Sequence, residues 1–231
     1  MVPLRDDIPT RITPYITYGL IGGNIVVFLY QLSLPVNELK NLLMTYGVVP
    51  AQLTAACQSG NYWPEALTLI TSQFLHGGFF HLGGNMLFLW IFGNNVEEQL
   101  GHLKFLLFYL TCGALAALTQ WWFSMQSNVP AIGASGAIAG VLGAYIIRFP
   151  YATVLTLIPI GFFITTVRIP ALFFLGFWFL QQALLGIASL QVHTQIGMET
   201  GGIAYWAHAG GFVFGVLLGP PLGLFSSKNN R

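Results

Sequence analysis

The chain has 231 residues, 55% of them apolar and only 6% charged, with a formal net charge of +1. Soluble domains carry about 25% charged residues, and no soluble fold of this length hides so much apolar surface, so the composition specifies an integral membrane protein. The near-neutral charge gives no basic surface for a nucleic-acid partner, and two cysteines are too few for a disulfide framework.

In chain order, residues 1–14 form a polar segment expected on the cytoplasmic side, running straight into a retained span rather than a cleaved signal peptide. A bilayer core of about 30 Å takes roughly 20 apolar residues as helix. Six stretches qualify: Tyr15–Leu34, Gly78–Asn94, Leu103–Phe123, Ser135–Arg148, Pro170–Leu190 and Ala204–Leu224. The expected fold class is therefore all-α, a bundle of six transmembrane helices over residues 15–225, with a cytoplasmic tail at 226–231. The long first loop, 35–77, holds two stretches with the mixed character of short interfacial helices, Asn37–Leu43 and Pro64–Phe74. A seventh apolar stretch, Tyr151–Val167, carries Pro159 and Gly161 and many β-branched residues, which suits a folded-back loop better than a helix. Charge placement agrees. With six spans, Arg5, Arg11, Lys104, Arg148, Arg168, Lys228 and Arg231 share one side and only Lys40 is opposite, so both termini are expected to be cytoplasmic.

Polar side chains inside a bilayer are costly and mark function. His81 and Asn85 in the second span, Ser135 in the fourth and His208 in the sixth all lie near the non-cytoplasmic start of their helices. Ser135 precedes Arg148 by 13 residues and His81 precedes Asn94 by 13, or about 20 Å of helix. His208 precedes Gly219 by 11, or roughly 17 Å. A lone serine in an apolar helix usually bonds back to its own helix, and a lone histidine or asparagine more often glues helices together. Four polar groups in one layer of three helices, however, specify one site. Ser135 begins a short helix inside the membrane, among unpaired N–H groups and the positive end of the helix dipole, where an oxyanion is stabilised. A serine hydroxyl needs a base, and His208 is the candidate. The acids Asp6, Asp7, Glu97 and Glu98 fall on the cytoplasmic side, with Glu38, Glu65 and Glu199 in loops, so a dyad is expected rather than a triad. His81 and Asn85, one turn apart, would point donors at the oxyanion.

The strings Gly133-Ala134-Ser135-Gly136-Ala137-Ile138, Ala207-His208-Ala209-Gly210-Gly211 and His76-Gly77-Gly78-Phe79-Phe80-His81-Leu82-Gly83-Gly84-Asn85 resemble the three signature motifs of the rhomboid proteases, in that family's order. The resemblance covers roughly Gln73 to Gly215. It implies an intramembrane serine endopeptidase with Ser135 as nucleophile and His208 as general base. It also implies His81, Asn85 and the Ser135 N–H as the oxyanion hole, and supporting roles for His76, Gly133, Gly136 and Gly211. Substrates would be single-span membrane proteins cut near the outer end of their helix, entering laterally past the fifth helix, with Trp178 in the gate and the loop Gln191–Gly202 as a cap. No metal or other cofactor is implied. Some relatives carry an aromatic residue one turn after the serine; here Ala139 stands there, leaving His208 to be oriented by Tyr205 or a phenylalanine. An inactive, escorting relative is the alternative, but such a protein would lack Ser135 or His208. A transporter would show an internal repeat, and a metal hydrolase would show His-Glu-x-x-His; neither occurs. The expected location is a bacterial inner membrane, with the site opening to the non-cytoplasmic side.

Overall fold

In the computed structural model, which describes residues 1–161, 163–192 and 204–226, the first apolar run forms helix α1 (Tyr15–Ser33). Three short helices follow: α2 (Val36–Tyr46), α3 (Pro50–Ser59) and α4 (Trp63–Thr71), the last continuing as a 3₁₀ turn over Ser72–Phe74. Helix α3 was not foreseen, although Pro50 at its first position and Gly60 in the left-handed region past its end are common start and stop signals.

Helix α5 (Phe79–Phe88) passes through a π turn, Leu89–Gly93, into α6 (Asn94–Leu100), where Gly101 at φ 83° breaks the helix and α7 (His102–Phe123) begins. The second apolar segment thus extends beyond its expected end at Asn94. Glu97 consequently lies within a helix, fully buried. Helices α8 (Ser135–Arg148), α9 (Ala171–Val192) and α10 (Tyr205–Leu222) complete the helical part. Among the described residues, α1, α7 and the Ala171–Ser189 part of α9 are each long and apolar enough to cross a membrane.

The fold is mostly helical but not all-α, which corrects the sequence expectation. The stretch after α8 forms a β-hairpin, β2 (Thr153–Ile160) and β3 (Phe163–Pro170), paired from Thr153↔Pro170 to Ile160↔Phe163. The chain's first residues, β1 (Val2–Arg5), add to it antiparallel with Val2 opposite Leu157. Alternation puts Val154 and Thr156 inside, fully buried, while β3 is largely exposed.

Hydrogen bonds stitch the segment between β1 and α1 to the same end of the bundle. Asp6 Oδ2 accepts from Tyr145 OH and Asn95 Nδ2, both at 2.6 Å. Asp7 accepts from the Thr153 amide at 2.8 Å and its hydroxyl at 2.6 Å. Burial is the strongest influence on both carboxyls. It lifts Asp6 above the usual range; at Asp7 the Thr153 hydrogen bonds and the charge of Arg168 together outweigh it and hold the group lower. The signs oppose. Asp7 stabilises the fold when ionised, a contribution present above the unfolded value of about 3.9 and lost as pH falls through its lower folded value. Asp6 favours the fold when neutral, below that unfolded value, and loses this contribution as pH rises through its raised folded one. Melting curves from pH 3 to 7 are expected to lose their acid-side decline in Asp7→Asn and to steepen it in Asp6→Asn.

Candidate active site

Helices α8 and α10 pack backbone to backbone because glycines face each other. A methyl group on Gly211 would overlap the Gly136 carbonyl, one on Gly215 the Gly140 carbonyl, and one on Gly143 the Phe212 carbonyl. This close approach sets the distance between the residues at the two helix starts. Gly215→Ala is therefore expected to push the helices apart and to lower stability by about 1–3 kcal/mol, the usual cost of overpacking, with loss of Ser135 reactivity toward a fluorophosphonate before the protein unfolds.

Ser135 is the first residue of α8, and His208 lies in the first turn of α10. Their side chains meet: Ser135 Oγ is 2.7 Å from His208 Nε2. The other ring nitrogen, Nδ1, is 2.7 Å from Oε1 of Gln182 on α9. The Trp178 ring, one turn earlier on α9, sits 5.8 Å from the imidazole centroid at 31°. Trp178 is thus placed against His208, and the aromatic contact foreseen from Tyr205 or a phenylalanine is made by this tryptophan.

The first intrahelical bond of α8 runs from Ile138 N to Ala134 O, leaving the N–H groups of Ser135, Gly136 and Ala137 ahead of it. Before it, the chain is held by Gly133 N donating to Ser72 O at 2.9 Å and by paired bonds between Val48 and Ala131. Gly133 has φ +123°, and a Cβ there would come within 2.7 Å of His81 Nε2 and 3.6 Å of Asn85 Nδ2. Both the backbone and the space require glycine. It follows that His81 and Asn85 lie beside the backbone two residues before Ser135.

His81 Nδ1 accepts from Gly77 N at 3.3 Å, which leaves the ring hydrogen on Nε2, the atom facing Gly133. Asn85 Nδ2 is 3.0 Å from His76 Nε2 and has a second hydrogen to offer. The His76 backbone is clamped at 3.0 Å on both sides by the Gln31 amide, and the His76 ring meets His81 edge-on at 5.1 Å. Beside Ser135 opens a small crevice, lined by Ser72, Gln73, Ala131, Gly133 and Gly136 among others. A Ser–His contact, donors converging on the adjoining backbone and an open crevice together suit attack on a carbonyl carbon.

All four polar residues singled out from the sequence fall in this one place, with His76, Gly133, Gly136 and Gly211 packed around them. Gln182 and Gln31 were missed, although each is a buried amide in an apolar helix, the same signal that marked Asn85. Residues 193–202 of the expected cap loop and the tail from 227 lie outside the described residues, while Gln191 and Val192 belong to α9.

Comparison with known proteins bears on the family of the chain. The family model for the rhomboid domain matches residues 63–225. The chain is 30% identical over 211 residues to the mitochondrial rhomboid protein 1 of Saccharomyces cerevisiae, covering 88% of this chain and 52% of that protein. It is 31% identical over 208 residues to the mitochondrial presenilin-associated rhomboid-like protein of Bos taurus, covering 86% and 46%. The rhomboid protease GluP of Bacillus subtilis is 35% identical over 131 residues, covering 57% and 24%. The chain spans about half the length of the two mitochondrial relatives. With more than half of its residues under one family model and the site's motifs gathered in space, this integral membrane protein belongs to the rhomboid family.

Proposed function

We propose that the chain is an intramembrane serine endopeptidase that hydrolyses peptide bonds in or near the transmembrane segments of other membrane proteins. Members of its family are generally intramembrane serine proteases. The observation that carries the reading for this chain is the 2.7 Å contact between Ser135 Oγ and His208 Nε2, made by two helices far apart in sequence. His208 would take the Ser135 proton as Oγ attacks the substrate carbonyl, then deliver it to the departing amine. The oxyanion would be met by His81 Nε2–H, Asn85 Nδ2–H and the Ser135 N–H. Water entering by the crevice would then hydrolyse the acyl-enzyme, with His208 again as base. A non-cleaving escort gives no role to the Ser–His contact.

The same proposal includes six spans, built on α1, α5 with its continuation, α7, α8, α9 and α10, with both termini on one side and the site near the other. Residues 1–14 and 226–231 would flank a single membrane domain. The substrates would be transmembrane proteins entering from the lipid bilayer past α9, where Phe177 is 54% exposed and Trp178 lines the inner side. Because the matched relatives include mitochondrial as well as bacterial proteins, the location is proposed only as integral to a membrane. The test is cleavage of a single-span substrate by the purified protein in liposomes, with Ser135→Ala and an added chelator in parallel. Loss of cleavage in Ser135→Ala and indifference to the chelator are expected; a Ser135→Ala protein that still cleaves ends the serine mechanism.

A further inference from the structure

We propose that Gln182 is a positioning residue that fixes the tautomer and rotation of His208, making a Ser135–His208–Gln182 relay; this rests on the dyad reading above. For Nε2 to accept the Ser135 proton it must present a lone pair, which places the ring hydrogen on Nδ1. That hydrogen needs an acceptor, and Gln182 Oε1 stands 2.7 Å away. Among the described residues no carboxylate takes this place. Gln182 is itself only 8% exposed, whereas the adjacent Gln181 points outward from an otherwise largely apolar helix. A carboxylate there would be an ion in a low-dielectric interior, costly unless well paired, whereas an amide supplies the same directional acceptor without net charge.

Trp178 and Gln182 are four residues apart and so share one face of α9. Trp178 lies against the ring and Gln182 holds its outer nitrogen, so the imidazole is constrained in tilt and in rotation by a single helix. The third member is neutral.

The experiment compares wild type, Gln182→Met, which removes the acceptor at similar volume, and Gln182→Glu, which keeps it, all as full chains in liposomes with a single-span substrate. Gln182→Met is expected to lower kcat about 10–100-fold, by analogy with the loss of the partners that orient metal-bound histidines, with KM little changed. Gln182→Glu is expected to recover most of the loss. In spectra of protein labelled with 15N-histidine, the His208 signals, identified by their absence in His208→Ala, should report hydrogen on Nδ1 in wild type and move toward the other tautomer in Gln182→Met. Unchanged kcat and tautomer in Gln182→Met overturn the inference, as does a Gln182→Glu protein no faster than Gln182→Met. Undiminished cleavage by Ser135→Ala is a separate failure, that of the protease reading itself, and leaves the tautomer measurement standing.

Discussion

Alanine at His208 is expected to slow cleavage of a membrane-embedded substrate by at least about a thousandfold, and alanine at Ser135 to do the same. The reason is geometric. Ser135 Oγ touches a single base, His208 Nε2 at 2.7 Å, and without it the hydroxyl stays protonated and weakly nucleophilic. Because the two side chains act on one proton, their effects should not add: the Ser135→Ala/His208→Ala protein should be no slower than either single variant. Initial rates in liposomes, scaled to the folded fraction from melting curves, check this. A double variant clearly slower than both singles would mean that the residues act independently and would break the dyad reading.

The second large effect is on stability. Glu97 is fully buried and accepts from Ile16 N at 3.0 Å, Thr17 N at 2.8 Å and Thr17 Oγ1 at 2.6 Å, while His102 Nδ1 lies 2.5 Å from its Oε1. The carboxylate caps the start of α1, where Pro14 offers no side-chain cap, and favours the positive end of that helix dipole. Glu97→Ala strands the amide and hydroxyl donors of Ile16 and Thr17, each costing about 1–3 kcal/mol when left buried and unpaired, and is expected to destabilise the fold by at least about 3 kcal/mol. Glu97→Gln, which keeps an acceptor, should lose clearly less. Unfolding of detergent-solubilised protein measures both; a Glu97→Ala protein as stable as wild type would show that the cluster contributes nothing net.

Much of the architecture was legible because lipid imposes a simple rule: long apolar runs become helices, and polar residues within them stand out. That is how Ser135, His208, His81 and Asn85 were found before any contact was known. Contacts between distant segments were not legible. Strand β1 is four residues long and includes Pro3, and its partner lies about 150 residues later, so no local pattern reveals the pairing. The burial of Glu97 was not legible because the apolar run ends at Asn94, whereas the π turn at Leu89–Gly93 carries the helix on to Leu100. Gln182 was not legible because it is an uncharged amide beside a second, exposed glutamine, and nothing local tells which of the two faces His208.

The pairing of β1 with β2 also bears on the order in which the protein takes shape. A ribosome adds about 5–20 residues per second, so β2 emerges on the order of ten seconds after β1. Val2–Arg5 therefore have no strand partner until helices α1 to α8 have been made. The sheet can close only after that, a clasp whose two halves bracket most of the chain.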